Sequence, residues 1–212
     1  LPISLTTMSN LQFRMVQRET DAVVFASPEK AQALWELDRL PGVLQTEPIR
    51  FVSATIRNGY RSRRIAITGL RPDSTLRQLI SQDGERHSFP AAGVVLTRKL
   101  AEILNVTAGN AIMVEATEGR RPQASFVVTE TVDEALGLSA YVPIDDLNAM
   151  MLESGVISGA LLLVDPNSRE EFYAALKQRP GVGGVSSRQA ALHSFEDTLA
   201  DRKSTRLNSS HT

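Results

Sequence analysis

The side chains able to do chemistry in this chain of 212 residues are few, and their spacing disperses them. Two adjacent carboxylate pairs, Asp145-Asp146 and Glu170-Glu171, are the first candidates for general acid/base work. Neighbouring residues on a helix point different ways, however, and neither pair converges on one substrate atom. Both fall where a helix begins, and there acids favour the positive end of the helix dipole. Gly181–Gly184 (GVGG) has the glycine content of a phosphate loop, but neither Lys-Ser/Thr nor a new helix follows it. It reads as a helix stop leading into a strand. The histidines, His87, His193 and His211, lie far apart, and cysteine is absent, which removes thiolate metal sites and disulfides. The residues therefore assign no catalytic set, no cofactor-binding set and no metal site, and no cofactor is expected.

Binding chemistry is also sparse. The densest basic group is Arg57, Arg61, Arg63 and Arg64, and the aromatic between them is Tyr60. A nucleic-acid surface would interleave several aromatics for stacking, so these arginines read as the solvated face of a hairpin and no nucleic-acid partner is expected. Met150-Met151 reads as core. The chain balances 23 Lys+Arg against 24 Asp+Glu, too even to favour a polyanion partner. Its longest apolar stretch, within Gly155–Val164, is short of the roughly 20 residues a spanning helix needs.

The elements that must position these residues show one internal similarity. Val23–Val43 (VVFASPEKAQALWELDRLPGV) and Leu161–Val182 (LLLVDPNSREEFYAALKQRPGV) share an order of strand, proline, helix and Pro-Gly-Val terminator. In the first copy, Ser27 caps and Pro28 opens a helix whose apolar stripe is Ala33, Leu34, Leu37 and Leu40. In the second, Ser168 and Glu171 fit a capping box, with Phe172, Ala175 and Leu176 as the stripe. Strands follow at Val43–Ile56, with a break near Pro48, and at Val182–Ser187. Two β-α-β units so far apart in sequence predict a split, ferredoxin-like α+β sheet, each helix covering one face of it.

Between the copies the character changes. Phe51–Arg57, Asn58-Gly59 and Tyr60–Thr68 predict a hairpin with a type I′ turn. A short helix is expected over Asp73–Ile80, a strand over Gly93–Thr97, and a helix capped by Thr97 with Leu100, Ala101 and Leu104 on one face. Ala111–Ala116 and Ser125–Thr131 are strands joined by a polar loop, and Pro143 opens a helix with Ile144, Leu147, Met150 and Met151 on one side. The expected division is 1–56 with 157–200 as the split unit and 57–156 as a mostly β insertion with its own core.

The order of segments resembles the extracytoplasmic domain of FtsX-like ABC transporter permeases, the MacB/LolC type. The resemblance rests on FRMVQR (13–18), LPGVLQTEPIRFV (40–52), RIAITGL (64–70), GVVLTRKLAEILNVTAGNAIMVE (93–115), AYVPIDDLNAMM (140–151), the second RPGV and SFEDTLA (194–200). It implies a porter-type split subdomain interrupted by a sabre-like one, carried between two membrane helices of an inner-membrane protein, on its extracytoplasmic or periplasmic side. The implied partners are a cytoplasmic ABC ATPase, reached through the membrane helices, a second permease copy or paralogue, and an envelope or periplasmic protein. ATP hydrolysis elsewhere would move this non-catalytic domain in export, lipoprotein handling or envelope-enzyme control, and Arg188–Ala200 would form a stalk.

The tail, 201–212, fits none of this patterning. Asp201–His211 back-translates into a string resembling a short-read sequencing adapter, so it is set aside as an artefact and the chain is expected to be a fragment. Without the tail's three cations (Arg202, Lys203, Arg206) and its one acid (Asp201), the balance becomes 20 Lys+Arg against 23 Asp+Glu, net −3. A competing reading makes the chain a small cofactor-binding enzyme domain, because a strand, helix and strand like Val94–Val114 recur in small enzyme β-barrels. That reading requires a concave polar site with perturbed ionisable groups.

Overall fold

The longest strand organises the molecule. In the computed structural model, which describes residues 13–81, 83–134 and 137–188, Val43–Asn58 forms one strand, β3, of 16 residues. Its first part pairs with β11 (Val156–Val164), and from Arg50 onward it pairs with β4 (Arg61–Leu70). The expected break at Pro48 is absent. Pro48 is tolerated because β3 has a strand on only one side there, so the missing N–H leaves no ladder bond unmade.

On one side of this hand-over lies an antiparallel sheet in the order β12 (Val182–Ser187), β2 (Asp21–Lys30), β11 and β3. Numbered by their appearance in the chain, its strands run 4-1-3-2, the order of a split β-α-β sandwich. Helices α1 (Ala33–Leu37) and α4 (Arg169–Lys177) lie over one face, burying Leu37, Phe172 and Leu176 against Val23, Ala160 and Leu162. The expected α+β class, a split sheet carrying a mostly β insertion, is the architecture observed.

Two local expectations for this sheet change. Ser27 and Pro28 do not start a helix: β2 runs through them to Lys30, because Glu29 and Lys30 stay in register with Ile157 and Val156 beyond a bulge. Helix α1 begins only after Gln32. In the second copy, Ser168 makes no side-chain cap; instead Asp165 accepts from Asn167 N (2.9 Å) at the 3₁₀ turn Pro166–Ser168 that leads into α4.

On the other side of the hand-over, β3 enters a closed circuit. It pairs with β4, β4 with β10 (Ala140–Pro143), β10 with β7 (Val94–Thr97), β7 with β9 (Gln123–Asp133), β9 with β8 (Ala111–Ala116), and β8 with β3 again. Closure leaves the ring few open edges. Helices α2 (Arg98–Leu104) and α3 (Ile144–Met150) contribute Leu100, Leu104 and Leu147 to its interior with Ile56, Ile67 and Val114. Each such fully buried leucine contributes about 2 kcal/mol. Thr97 precedes α2 but makes no side-chain cap; its hydroxyl accepts from Ser139 N at 3.1 Å.

An arm off the ring covers the second face of the four-stranded sheet. β1 (Phe13–Gln17) lies parallel to β9 and antiparallel to β5 (Arg77–Ile80), which carries β6 (Arg86–His87). Leu76, Leu79 and Phe89 pack there with Ile49 and Leu161. The short helix expected over Asp73–Ile80 is replaced by a turn and β5. The cause is β1, which pairs with Arg77–Ile80 and holds them extended, while the Glu47 carboxylate fixes the turn ahead of them by accepting from Thr75 N (2.8 Å), Leu76 N (3.2 Å) and the Ser74 hydroxyl.

Candidate functional site: the seam between sheet and barrel

Where β3 changes partners, the chain buries a polar cluster. Arg50 is almost wholly enclosed; its guanidinium donates through Nη1 to Phe51 O and Ser158 Oγ, both 2.9 Å, and through Nη2 to Glu153 Oε2 at 2.9 Å. Ser158 Oγ in turn accepts from Phe51 N at 2.9 Å. One guanidinium thus ties β3 to β11 and to the turn after α3. Helix α3 wedges into the same place, with Ile144 in the core of the sheet and Leu147 and Met150 in the core of the barrel. Its close seat on β4 depends on Gly69, where a Cβ would meet Leu147 Cδ2 at 3.0 Å and Ile144 Cα at 3.1 Å. A cavity of about 330 Å³ opens beside the wedge, lined by Pro48, Arg71, Asp73, Asp145, Asn148 and Ile157 among others. Asn148 donates to Val156 O (3.1 Å).

Two further ion pairs brace the arm and the sheet. Buried Glu19 accepts from Arg77 Nε at 2.9 Å, yet burial outweighs the arginine and holds its carboxyl above the usual carboxylate value. Asp21, fully enclosed in β2, accepts from the Tyr173 hydroxyl of α4 and lies 3.6 Å from Arg169. Burial also pushes up the Tyr141 phenol, helped by the Glu134 charge it donates to. These groups hold elements together.

The motifs singled out by sequence stay apart. Asp145 and Asp146 occupy the first turn of α3, and Glu170 and Glu171 that of α4, near the positive ends of the helix dipoles. Gly181 takes φ +92° after α4, and β12 follows it directly. The arginine hairpin divides by strand alternation. Arg57 faces Ser62 and shares a side with Arg64, whereas Arg63 faces Ile56 and shares the other with Arg61. Arg57 lies 3.5 Å from Glu115, and Arg61 stacks over Tyr60 at 5.5 Å. The turn also differs from type I′: Asn58 pairs with Arg61, only Gly59 takes positive φ, and Asn58 Nδ2 donates to Leu104 O at 3.0 Å. Met150 is core and Met151 packs against it. His87 is in β6; His193, the stalk beyond Arg188 and the tail fall outside the described residues. Among the described residues, no three His, Asp or Glu side chains gather as metal ligands would.

Sequence reasoning missed Glu47, Arg50, Asn148 and Ser158. A signal existed for the first two: a carboxylate and a guanidinium interrupting the apolar run around Ile49, Phe51 and Val52. Their partners, Thr75 and Leu76 ahead of β5, Glu153 in the turn after α3 and Ser158 on β11, are distant in the chain and gave none.

No family model and no curated protein matches the chain. Among solved structures, the extracellular domain of the noncanonical ABC-type transporter YknZ from Gram-positive bacteria superposes with a TM-score of 0.53 at 16% identity, over 78% of this chain and 99% of that one. The periplasmic region of MacB from Actinobacillus actinomycetemcomitans gives 0.54 at 12% identity, over 85% and 94%. The fold is that of ABC-permease extracytoplasmic domains. Likeness at this identity speaks to the fold, and it matches the architecture the ordered segments implied. Within the permease-type fold, the seam is where the split sheet and its insertion meet, and no helix among the described residues is long and apolar enough to cross a membrane.

Glu130 supplies a test of burial that is independent of the seam. It lies on β9 with Oε2 enclosed and unpartnered, and burial raises its carboxyl above the ordinary 4.5 despite the opposing charge of His87. The folded chain therefore binds this proton more tightly than the unfolded chain. Stability contributed at this residue falls as pH rises through the interval above 4.5. Glu130→Gln is expected to be the more stable protein at pH 7, with its advantage shrinking as pH drops through the carboxylate range in urea titrations.

Proposed function

We propose that this chain is the extracytoplasmic domain of an ABC transporter permease, non-catalytic in itself, through which ATP hydrolysis by a cytoplasmic partner is coupled mechanically to export, lipoprotein handling or control of an envelope enzyme. The observation that carries the reading is the split sheet: its 4-1-3-2 order is completed only after a barrel has been inserted between its halves, and the permease domains share that fold. Chain geometry gives further support. Arg188 N donates to Thr20 O at 3.0 Å, so the chain entering β2 and the chain leaving β12 meet at one end of the split sheet, an arrangement compatible with two membrane stalks of one domain. The division into 1–56 with 157–200 and 57–156 belongs to this proposal, as do membrane attachment, the ATPase and a second permease copy or paralogue.

The test is the coding sequence on both sides of this segment, followed by expression of the whole product. The reading expects an apolar stretch of about 20 residues on each side, sedimentation with the membrane, and protease access to the domain from outside the cytoplasm. Absence of either stretch in the complete gene, or a freely soluble full-length product, overturns it. Co-purification of an ABC ATPase with the detergent-extracted product then tests the coupling.

A further inference from the structure

The ring of strands is closed, but β9 is not paired along its whole length. From Val128 onward it lies beside β7, whereas Gln123–Val127 pair with β8 alone. Val128 donates to Asn110 O (2.8 Å) and accepts from Gly109 N (2.7 Å), so its main-chain groups face the β8 side. Strand alternation gives Ala124 and Phe126 the same sense, and turns the N–H and C=O of Ser125 and the N–H of Val127 the opposite way. In that direction an open groove of about 500 Å³ separates the strand from α3. Phe126, Val127, Ala149 and Met150 supply much of its apolar lining, and it ends at Gly93, where a Cβ would meet Val127 O at 2.6 Å.

Two properties identify what fits. The segment QASFV carries no charge, no proline and no bulge, the usual guards of an exposed strand edge. The groove's one charged lining residue is Asp146, with Asp145 beside it in sequence and no basic residue in the lining. Burial and the Asp145 charge both raise the Asp146 carboxyl, so an incoming cation would relieve its environment. We propose that the groove binds an extended, basic peptide segment of a partner protein, added as a strand along Gln123–Val127 with an apolar side chain in the groove and a lysine or arginine at Asp146. Main-chain hydrogen bonds would give affinity, and the pocket and carboxylate would give specificity. The proposal does not depend on membrane attachment.

A random library of peptides about ten residues long, a strand's length, panned on the immobilised chain and followed by calorimetry of the selected peptides, tests it. Selected peptides should alternate apolar residues and carry Lys or Arg. Asp146→Asn should weaken them about threefold to tenfold, less at high salt. Ala149→Arg fills the groove from an exposed helix position without touching the core and should abolish binding, with circular dichroism confirming the fold. N-methylation of alternate peptide amides should abolish binding in one phase of alternation and spare it in the other. No enrichment over bare support, equal binding to Ala149→Arg, or indifference to N-methylation overturns the proposal.

Discussion

Gly159→Ala is expected to cost about 3 kcal/mol or more in urea-induced unfolding, far beyond an ordinary glycine substitution. Gly159 sits in β11 at the centre of the four-stranded sheet, opposite Val24 on one side and Ile49 on the other. A Cβ there would lie 2.0 Å from Val23 O and 3.0 Å from Val24 Cα, against main chain that cannot rotate aside. The only relief is separation of β11 from β2, which opens the ladder and exposes the core beneath α4. Gly155→Ala provides the comparison. That glycine has φ +59° and nothing within 4 Å of its Cβ position, so alanine meets only backbone strain there, about 1 kcal/mol. Equal losses at the two sites would show that close strand contact is not what fixes Gly159.

How far the fold was legible depends on the range of the interactions involved. The split β-α-β pattern could be read because each half is local: Phe172 and Leu176 keep helical spacing on α4, and Gly42 and Gly181 take the positive φ that ends a unit. Errors arose where a distant partner overrode a local signal. Ser27-Pro28 has the form of a helix start, but the register of β2 with β11 holds it extended to Lys30. Leu76 and Leu79 have helical spacing, yet Glu47 takes the nearby amides and β1 pairs with Arg77–Ile80. Ring closure depends on β8 meeting β3 at Ala116 and Ala54, a contact with no trace in either strand alone. The seam was illegible for the same reason, since Arg50 acquires its meaning only from Glu153 and Ser158. The acid pairs lie in the first turns of α3 and α4 and the arginine hairpin lies at the surface, while the caps read at Ser27, Thr97 and Ser168 do not form.

Arg50 gives the second large effect. Arg50→Ala is expected to cost about 3 kcal/mol, because it leaves a void and deprives Ser158 and the Phe51 carbonyl of a donor. Glu153 contributes less to that loss, being a third exposed and able to regain water. Arg50→Met separates the void from the polar contacts: it retains most of the apolar volume but still leaves Ser158, the Phe51 carbonyl and Glu153 without the guanidinium. If the guanidinium is what fixes the sheet against the barrel, the methionine variant should unfold at a higher urea midpoint than the alanine variant while the two bodies move more freely than in the parent. The absence of native cysteine permits a direct measurement. Spin labels at cysteines replacing exposed Ser27 on the sheet and exposed Ser62 on the barrel hairpin should report a broader distance distribution for Arg50→Met than for the parent. An unchanged distribution would assign the rigidity of the seam to the α3 wedge alone. Under the proposed coupling role the joint must be stiff, so the width of that distribution tests that role in a way that stability alone does not.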